Sequence, residues 1–322
     1  MILKRVLIIQ TAFLGDVILA SPIWENLHNM FPDLQIDVVV KKGNESLLLE
    51  HPFLNRVYVF DKRQKLKNLW SLGRTLRKQH YDLVINLQRF ASSGVLALLA
   101  NGKESRGFEK NPMSIFFSKR YPHEMKAYWH EVDRNLQLIS DFIQEPTRRP
   151  QLYPSKSDFL HVAAFQNNNY YCLAPTSVWF TKQAPMELWL QLIEQLAQNG
   201  ATIYLLGAPA DQSYLNDLIE KSQNKQVFNL AGKLSLLQSA ALMTGAKRNY
   251  VNDSGPLHLA SATNAPVSAF FCSTVPDFGF GPLSDHSEVI EVSNLDCRPC
   301  GIHGHKNCPR GHFKCGKNLT IV

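Results

Sequence analysis

Short apolar runs alternate with amphipathic segments along the whole chain. The apolar runs predict two sets of strands, at residues 6–9, 36–40, 57–60 and 83–87, and at residues 170–173, 202–206, 227–230, 248–251 and 267–271. Apolar positions at helical spacing predict helices between them, such as residues 66–78, 133–143, 187–198 and 236–244. Strands that lack polar alternation are typical of parallel sheets covered by helices on both faces. The pattern therefore predicts an α/β protein built on doubly wound parallel sheets.

The middle of the chain marks a domain boundary. Pro146, Pro150 and Pro154 punctuate it, a polar run follows at residues 166–169, and a new apolar strand begins at Tyr170. A chain of 322 residues is also long for a single core. We therefore expect a first domain at residues 1–160 and a second at residues 161–322.

Charge separates these two halves. Residues 1–165 carry 23 Lys and Arg against 16 Asp and Glu, whereas residues 166–322 carry 11 of each kind, so the net charge of +7 belongs to the first half. That half is expected to meet an acidic partner, such as a phosphorylated glycolipid, an anionic membrane surface or a nucleic acid. Dispersed, solvated Lys and Arg side chains are the alternative.

The N-terminus imitates a secretion signal, since Lys4 and Arg5 precede an apolar stretch. Gln10 and Asp16 interrupt that stretch, which divides naturally into a strand, a turn and a helix. The chain also has no uninterrupted apolar run of 18 residues. We therefore expect a cytoplasmic protein without a transmembrane helix.

The most informative motif is DSGPLH at residues 253–258, which joins a strand directly to a helix. Ser254 or Gly255 can cap the helix, and Pro256 suits its first turn. The free amides at such a helix start, together with the helix dipole, favour an anion, so the motif is interpreted as a diphosphate site. An ordinary capped helix fits the same residues.

A second motif, QTAFLGD at residues 10–16, follows the first predicted strand. Gly15 permits a tight turn, and Asp16 then lies at a helix start beyond the carboxyl edge of the sheet, where open α/β sheets bind ligands. A helix-terminal charge without chemistry is the alternative for Asp16.

Neither half contains a G-x-G-x-x-G or P-loop signature, which disfavours dinucleotide oxidoreductases and P-loop NTPases. Two such halves suggest a GT-B glycosyltransferase with its active site in the cleft between the domains.

Taken together in order, the motifs TAFLGD, SVWFTK, LGA and DSGPLH and the Cys-rich tail at residues 297–315 resemble the heptosyltransferases of glycosyltransferase family 9. The tail is more similar to the members that add the second heptose, the type II enzymes. The resemblance implies an inverting transfer of heptose from ADP-heptose to the lipid A–Kdo inner core of lipopolysaccharide, at the inner face of the inner membrane. It implies no nucleic-acid partner and no required cofactor.

The resemblance also assigns roles to particular residues. Asp16 becomes the catalytic base, which takes a proton from the acceptor hydroxyl as the glycosidic bond forms. The donor would be bound by Thr176, Ser177, Lys182, Asp211, Leu234, Asp253, Ser254, Gly255 and His258. Of these, Lys182 is placed at the phosphates, Asp211 near the ribose and Leu234 beside the adenine. One departure is Ala184-Pro185, where the family commonly has Trp-Pro.

Basic residues near the ends of first-half strands are candidates for binding an acidic acceptor. Lys62, Arg63, Lys65 and Lys67 follow the predicted strand at 57–60, and further candidates are Arg89, Arg106, Lys119 and Arg120. A solvated loop is the alternative for each of them.

The Cys-rich tail contains Cys297, Cys300, Cys308 and Cys315, in a C-x2-C-x7-C-x6-C array. Four thiols at this spacing could bind a structural zinc ion, form disulfides or stay unbonded, and the sequence leaves all three open.

Three other functions also stay open: a GT-B transferase for another nucleotide sugar, a non-catalytic GT-B binding protein, and, more remotely, a basic nucleic-acid binder.

Overall fold

A computed structural model of the chain describes residues 3–126, 128–166, 169–198 and 200–321. The chain divides into two compact units, Met1–Tyr153 and Pro154–Val322. The predicted boundary after residue 160 falls inside the helix Lys156–Val162, which belongs to the second unit and packs there against the helix Leu236–Gly245. The observed division therefore lies just before this helix.

The first unit is a six-stranded parallel sheet flanked by helices. Its strands are β1 (Arg5–Gln10), β2 (Gln35–Lys41), β3 (Leu54–Phe60), β4 (Leu83–Asn86), β5 (Glu104–Phe108) and β6 (Lys119–Tyr121). Its helices are α1 (Leu14–Met30), α2 (Lys65–Arg77), α3 (Ala91–Ala100) and α4 (Glu131–Leu136). The strand order is β3-β2-β1-β4-β5-β6, the order of a doubly wound nucleotide-binding sheet.

The second unit repeats this plan. Its strands are β7 (Tyr170–Ala174), β8 (Thr202–Leu205), β9 (Val227–Asn229), β10 (Asn249–Asn252), β11 (Val267–Phe271) and β12 (Ser287–Glu291). Its helices are α5 (Lys156–Val162), α6 (Met186–Ala197), α7 (Gln212–Ser222), α8 (Leu236–Gly245), α9 (Gly255–Ala262) and α10 (Lys314–Lys317). The strand order β9-β8-β7-β10-β11-β12 matches that of the first unit, and every strand pair is again parallel.

Burial on both faces explains the long apolar runs of strands such as β1 and β11. Residues 6–9 of β1 are fully buried, and β11 is buried along its whole length. In the first unit β1 pairs with β2 and β4, with Val6 opposite Ile36 and Leu83. The second core is built around Trp189 of α6, whose ring packs edge-on against Phe270 of β11.

All nine predicted strands are present, but three strands escaped the sequence analysis. β5, β6 and β12 carry charged residues and lie at or next to sheet edges, so they lack the apolar run that identifies a central strand. The predicted helix at 133–143 is shorter than expected, because α4 ends at Leu136 and continues only as a 3-10 turn, Gln137–Ile139. Within the residues that the structure describes, none of the helices has the length and apolarity needed to cross a membrane.

Candidate functional site

Each sheet has a switch point, where successive connections leave in opposite directions and open a crevice at the carboxyl ends of the strands. In the first unit this point lies between β1 and β4, and in the second between β7 and β10. The loop after β1 leads to Asp16, the loop after β7 carries Lys182, and Asp253 follows β10 directly. Both predicted motifs thus lie where this architecture binds ligands.

Asp16 occupies the first turn of α1. The helix begins after Phe13, and the Asp16 carboxylate accepts a hydrogen bond from the Phe13 amide at 3.1 Å. This single hydrogen bond from the N-cap amide fixes the carboxylate near the end of β1. The predicted helix start at this motif is confirmed.

The surroundings of Asp16 suit a base. Burial and the nearby negative charge of Glu131 raise the pKa of Asp16 to about 6, against the opposing effects of backbone hydrogen bonds and of Lys41. A carboxylate with such a pKa accepts a proton more readily than an ordinary one and is still mostly ionised near neutrality.

Glu131, the first residue of α4, was missed by the sequence analysis. Burial alone would raise its pKa, but His123 at 3.3 Å and Arg134 at 2.7 Å outweigh burial and lower it. Glu131 therefore stays charged beside Asp16. Nothing in the sequence links two residues so far apart, so only the packing of α4 against α1 reveals the pair.

Lys62 and Arg63 lie just after β3, as predicted. They line a surface cavity of about 440 Å3 together with Lys41, Lys42 and Asp61. The Lys62 ammonium donates to the Thr11 carbonyl at 2.8 Å, which brings it to the loop that precedes Asp16. Arg63 is paired with Asp61 at 3.0 Å but remains largely exposed. The loop after β3 therefore places positive charge beside the Asp16 loop.

The other basic candidates divide into exposed and structural residues. Arg89 and Arg120 are exposed, and the Arg89 guanidinium lies 5.4 Å from the Phe90 ring centroid. The prediction that Arg106 binds the acceptor is wrong, because Arg106 is 1% exposed and its guanidinium is bound by Glu104 and Asp141. Lys119 also forms an ion pair with Asp141, with 2.7 Å between Nζ and Oδ2.

Lys182 and Asp253 form the centre of the second unit's candidate site. Lys182 ends a 3-10 turn, Phe180–Lys182, and its Nζ lies 2.6 Å from Oδ2 of Asp253. The Thr274 hydroxyl donates to the same oxygen at 2.6 Å. The structure therefore brings the predicted lysine to the predicted DSGPLH motif. It also adds Thr274, which sequence reasoning missed.

Asn252, the last residue of β10, holds the loop of Lys182 against the sheet. Its buried amide donates to the Pro175 carbonyl at 2.8 Å and accepts from the Ala184 amide at 2.9 Å. Ala184 is itself buried, so Asn252 contacts this loop through the Ala184 backbone amide. Asn252 was missed, although its position just before the motif offered a signal.

The start of α9 lies where it was predicted, with Ser254 at the N-cap position, Gly255 as the first helical residue and Pro256 in the first turn. The Ser254 side chain makes no capping hydrogen bond, and its hydroxyl points towards the Asn252 carbonyl at 3.4 Å. His258 is buried one turn later, where its ring meets Phe280 edge-on at 6.4 Å. The role of His258 as a donor ligand stays a prediction.

The remaining predicted donor residues lie in loops at the same edge of the second sheet. Thr176 and Ser177 follow β7 and are partly exposed. Asp211 uses its carboxylate to accept from the Ala208 amide at 2.7 Å, so it stabilises its own turn in this structure. Leu234 is partly exposed just before α8, and its loop meets the Asp211 loop through a hydrogen bond from the Gly232 amide to the Gly207 carbonyl (3.0 Å).

All four cysteines of the Cys-rich tail are free thiols in the structure. The Cys297 sulfur lies 3.8 Å from Nε2 of His312, and Cys315 is buried. The side chains that the structure describes include no group of three or more His, Cys, Asp and Glu placed to hold a metal ion. Structural zinc at Cys297, Cys300, Cys308 and Cys315 therefore stays a prediction that rests on spacing.

Comparison with known proteins identifies relatives along most of the chain. The model of the family described as glycosyltransferase family 9 (heptosyltransferase) matches residues 69–310. Lipopolysaccharide heptosyltransferase 1 of Pseudomonas aeruginosa is 29% identical over 92% of this chain and 86% of its own length. Lipopolysaccharide heptosyltransferase 3 of Escherichia coli K12 is 28% identical over 81% of this chain and 80% of its own.

Among solved structures, E. coli ADP-heptose lps heptosyltransferase II superposes with a TM-score of 0.80, at 23% identity, over 92% of this chain and 96% of that one. This likeness confirms the predicted fold class, two Rossmann-like domains of the GT-B type. Relatives of types 1, 3 and II all match, so the expected closeness to type II is not resolved.

Proposed function

Because the chain belongs to glycosyltransferase family 9, the heptosyltransferases, we propose that it transfers a heptose from ADP-heptose to the inner core of lipopolysaccharide, with inversion at the anomeric carbon. The observation that carries the proposal is the Lys182–Asp253 pair at the start of α9. A fixed ammonium beside free helix amides suits a diphosphate. The names of the relatives support ADP-heptose as donor and lipopolysaccharide as acceptor.

In this proposal the second unit binds the donor. Lys182 and the amides of Ser254 and Gly255 contact the diphosphate, with Thr176 and Ser177 in the neighbouring loop. Asp211 and Leu234 lie in adjoining loops suited to the ribose and the adenine. Asp211 would have to exchange its bond with the Ala208 amide, or share it, in order to bind a ribose hydroxyl.

The first unit supplies the base. The Asp16 carboxylate takes the proton of the acceptor hydroxyl while that oxygen attacks the anomeric carbon from the face opposite the leaving ADP. The bond to the diphosphate oxygen breaks in the same step, and its negative charge is stabilised by Lys182 and the helix start. The raised pKa of Asp16 makes it a stronger base, which supports this assignment.

The acceptor carries carboxylates and phosphates, for which Lys62, Arg63, Arg89 and Arg120 are the proposed ligands. Their exposure and the cavity beside Asp61 support this role. Because the lipid A–Kdo acceptor is anchored in a membrane, we place the enzyme in the cytoplasm, peripheral to the inner face of the inner membrane. We propose no nucleic-acid partner and no catalytic cofactor, and zinc in the Cys-rich tail would be structural only.

The proposal is tested by nucleotide binding and transfer together. Calorimetry with ADP, UDP and GDP should show a clear preference for ADP, and ADP-heptose with a Kdo2-lipid A acceptor should release ADP. Preference for UDP or GDP would indicate a GT-B enzyme of another donor class. Tight ADP binding without transfer to acceptors of successive core length would favour the non-catalytic alternative.

A further inference from the structure

The Cys-rich tail packs directly onto the loop that carries Lys182. Thr181, the residue before the lysine, is almost fully buried between the tail and the sheet. Its amide donates to the His305 carbonyl at 3.1 Å, and its hydroxyl accepts from the His305 amide at 2.7 Å. Ser273, after β11, donates from its hydroxyl to the Thr181 hydroxyl at 3.0 Å. The backbone of residue 181 is thereby fixed from both sides.

Gly304 brings the tail against the lysine itself. A Cβ atom at this glycine would lie 2.7 Å from Cγ of Lys182 and 2.7 Å from Cβ of Trp179, closer than real Cβ atoms approach. Gly304 is buried, so its backbone forms a wall along the lysine stem. No larger residue fits there unless the Lys182 loop moves.

Arg298 acts on Asp253, the ion partner of Lys182. Its guanidinium is almost fully buried and donates to the carbonyls of Cys272 and Thr274, each at 2.7 Å. Thr274 in turn donates its hydroxyl to Asp253 at 2.6 Å. Arg298 therefore fixes the backbone of the residue that orients the Asp253 carboxylate.

We infer that the Cys-rich tail is a positioning element of the phosphate site, in which Gly304 and Arg298 hold Lys182 and Asp253 in their binding geometry. This inference rests on the proposed function for its effect on ADP, but the positioning itself is independent of the donor. A free lysine loses rotamer entropy when it is immobilised. A lysine already confined by the tail loses less when the diphosphate binds, so the donor binds more tightly.

Gly304→Ala is the most direct variant, because the backbone of Gly304 lies outside the left-handed region and the added methyl acts only by contact. Two quantities should be measured. The first is the coupling between Lys182→Met and Asp253→Asn, from the unfolding equilibrium constants of the four variants in urea. We expect it to fall about tenfold in the Gly304→Ala background. The second is the Kd for ADP, which should rise by roughly tenfold. This is part of the affinity that a displaced charge-assisted contact would contribute.

Asn307→Ala, at an exposed tail position, is the control and should leave both quantities unchanged. If Gly304→Ala does not fold, the same two measurements on Arg298→Lys test the inference. This variant keeps the charge but loses the planar guanidinium. An unchanged coupling in the folded variant would overturn the inference, even if its melting temperature falls. A reduced coupling in a protein that does not bind ADP would retain the positioning role and reject the proposed donor.

Discussion

Replacing Lys182 with methionine separates the stabilising role of the lysine from its proposed role in binding. Methionine keeps an apolar stem against Gly304 but leaves Asp253 without its ion partner. The Asp253 side chain is 6% exposed and keeps the hydrogen bond from the Thr274 hydroxyl. Loss of one member of a buried pair costs about 3–5 kcal/mol. Because Lys182 is 16% exposed and Thr274 remains, we expect about 3 kcal/mol, at the lower end of that range.

This loss should lower the melting temperature of the second unit by roughly 6–12 °C, which differential scanning calorimetry resolves. The ADP affinity should fall by roughly ten- to a hundredfold, the worth of a charge-assisted hydrogen bond of about 1.5–3 kcal/mol. Lys182→Met combined with Asp253→Asn replaces the ion pair by neutral groups and should recover most of the stability. ADP affinity should not recover, because the ammonium is still absent.

Calorimetric titration of ADP into Lys182→Met, the double variant and Lys182→Arg completes the test. Lys182→Arg keeps a positive charge and should retain part of the affinity. Wild-type ADP affinity in Lys182→Met would refute the phosphate role of Lys182. Recovery of affinity in the double variant would show that the single change acted through unfolding or through repulsion by the unpaired Asp253 carboxylate, and not through a lost contact between Lys182 and the phosphates.

Three further predictions concern pH, salt and metal. The rate should rise with pH through about 6 as Asp16 loses its proton. Glu131→Gln should lower the pKa of Asp16 and move this limb of the pH–rate profile to lower pH; an unmoved limb would exclude Glu131 as a contributor to the raised pKa and leave burial as its cause. Charge reversal of Lys62 and Arg63 to Glu should raise the KM for membrane-embedded acceptor by about tenfold or more, because each lost charge contributes up to about 1 kcal/mol before salt screening. It should also weaken the salt dependence of that KM, with the ADP affinity as the control. EDTA should leave the transfer rate unchanged, and the melting temperature is measured in parallel to detect any loss of structure. A rate that is lost at constant melting temperature and restored by Mg2+ would contradict stabilisation of the leaving group by Lys182 and the α9 amides.

The sequence carried information about the central strands and their loops but little about distant pairs. β1 was identifiable because it is buried on both faces and continuously apolar, and Asp16 lies one short loop after it. Asp253 follows β10 directly, so the strand-to-helix motif around it was also visible in the sequence. Glu131 was not identifiable, because its effect on Asp16 arises only when α4 packs on α1. Thr274 escaped for the same reason, since its hydroxyl reaches Asp253 from a neighbouring strand end.

Charge alone does not identify the acceptor ligands in the basic first half. Arg106 and the exposed Arg120 carry the same charge, and β5 and β6 were not recognised as strands. In the structure Arg106 turns into the core to meet Asp141 and the Leu138 carbonyl, at 2.8 Å from the latter. Only the tertiary position of Asp141 distinguishes a structural arginine from one available to an acidic acceptor.

The central claim is that Asp16 is the base of a heptosyl transfer from ADP-heptose, and Asp16→Asn tests it most directly. The amide preserves the shape of the side chain but cannot take a proton, so ADP affinity and melting temperature should stay near wild type. Single-turnover transfer from ADP-heptose to Kdo2-lipid A should then fall by roughly a hundred- to ten-thousandfold, the usual contribution of a general base. A transfer rate within a few-fold of wild type, at unchanged ADP affinity, would contradict the account.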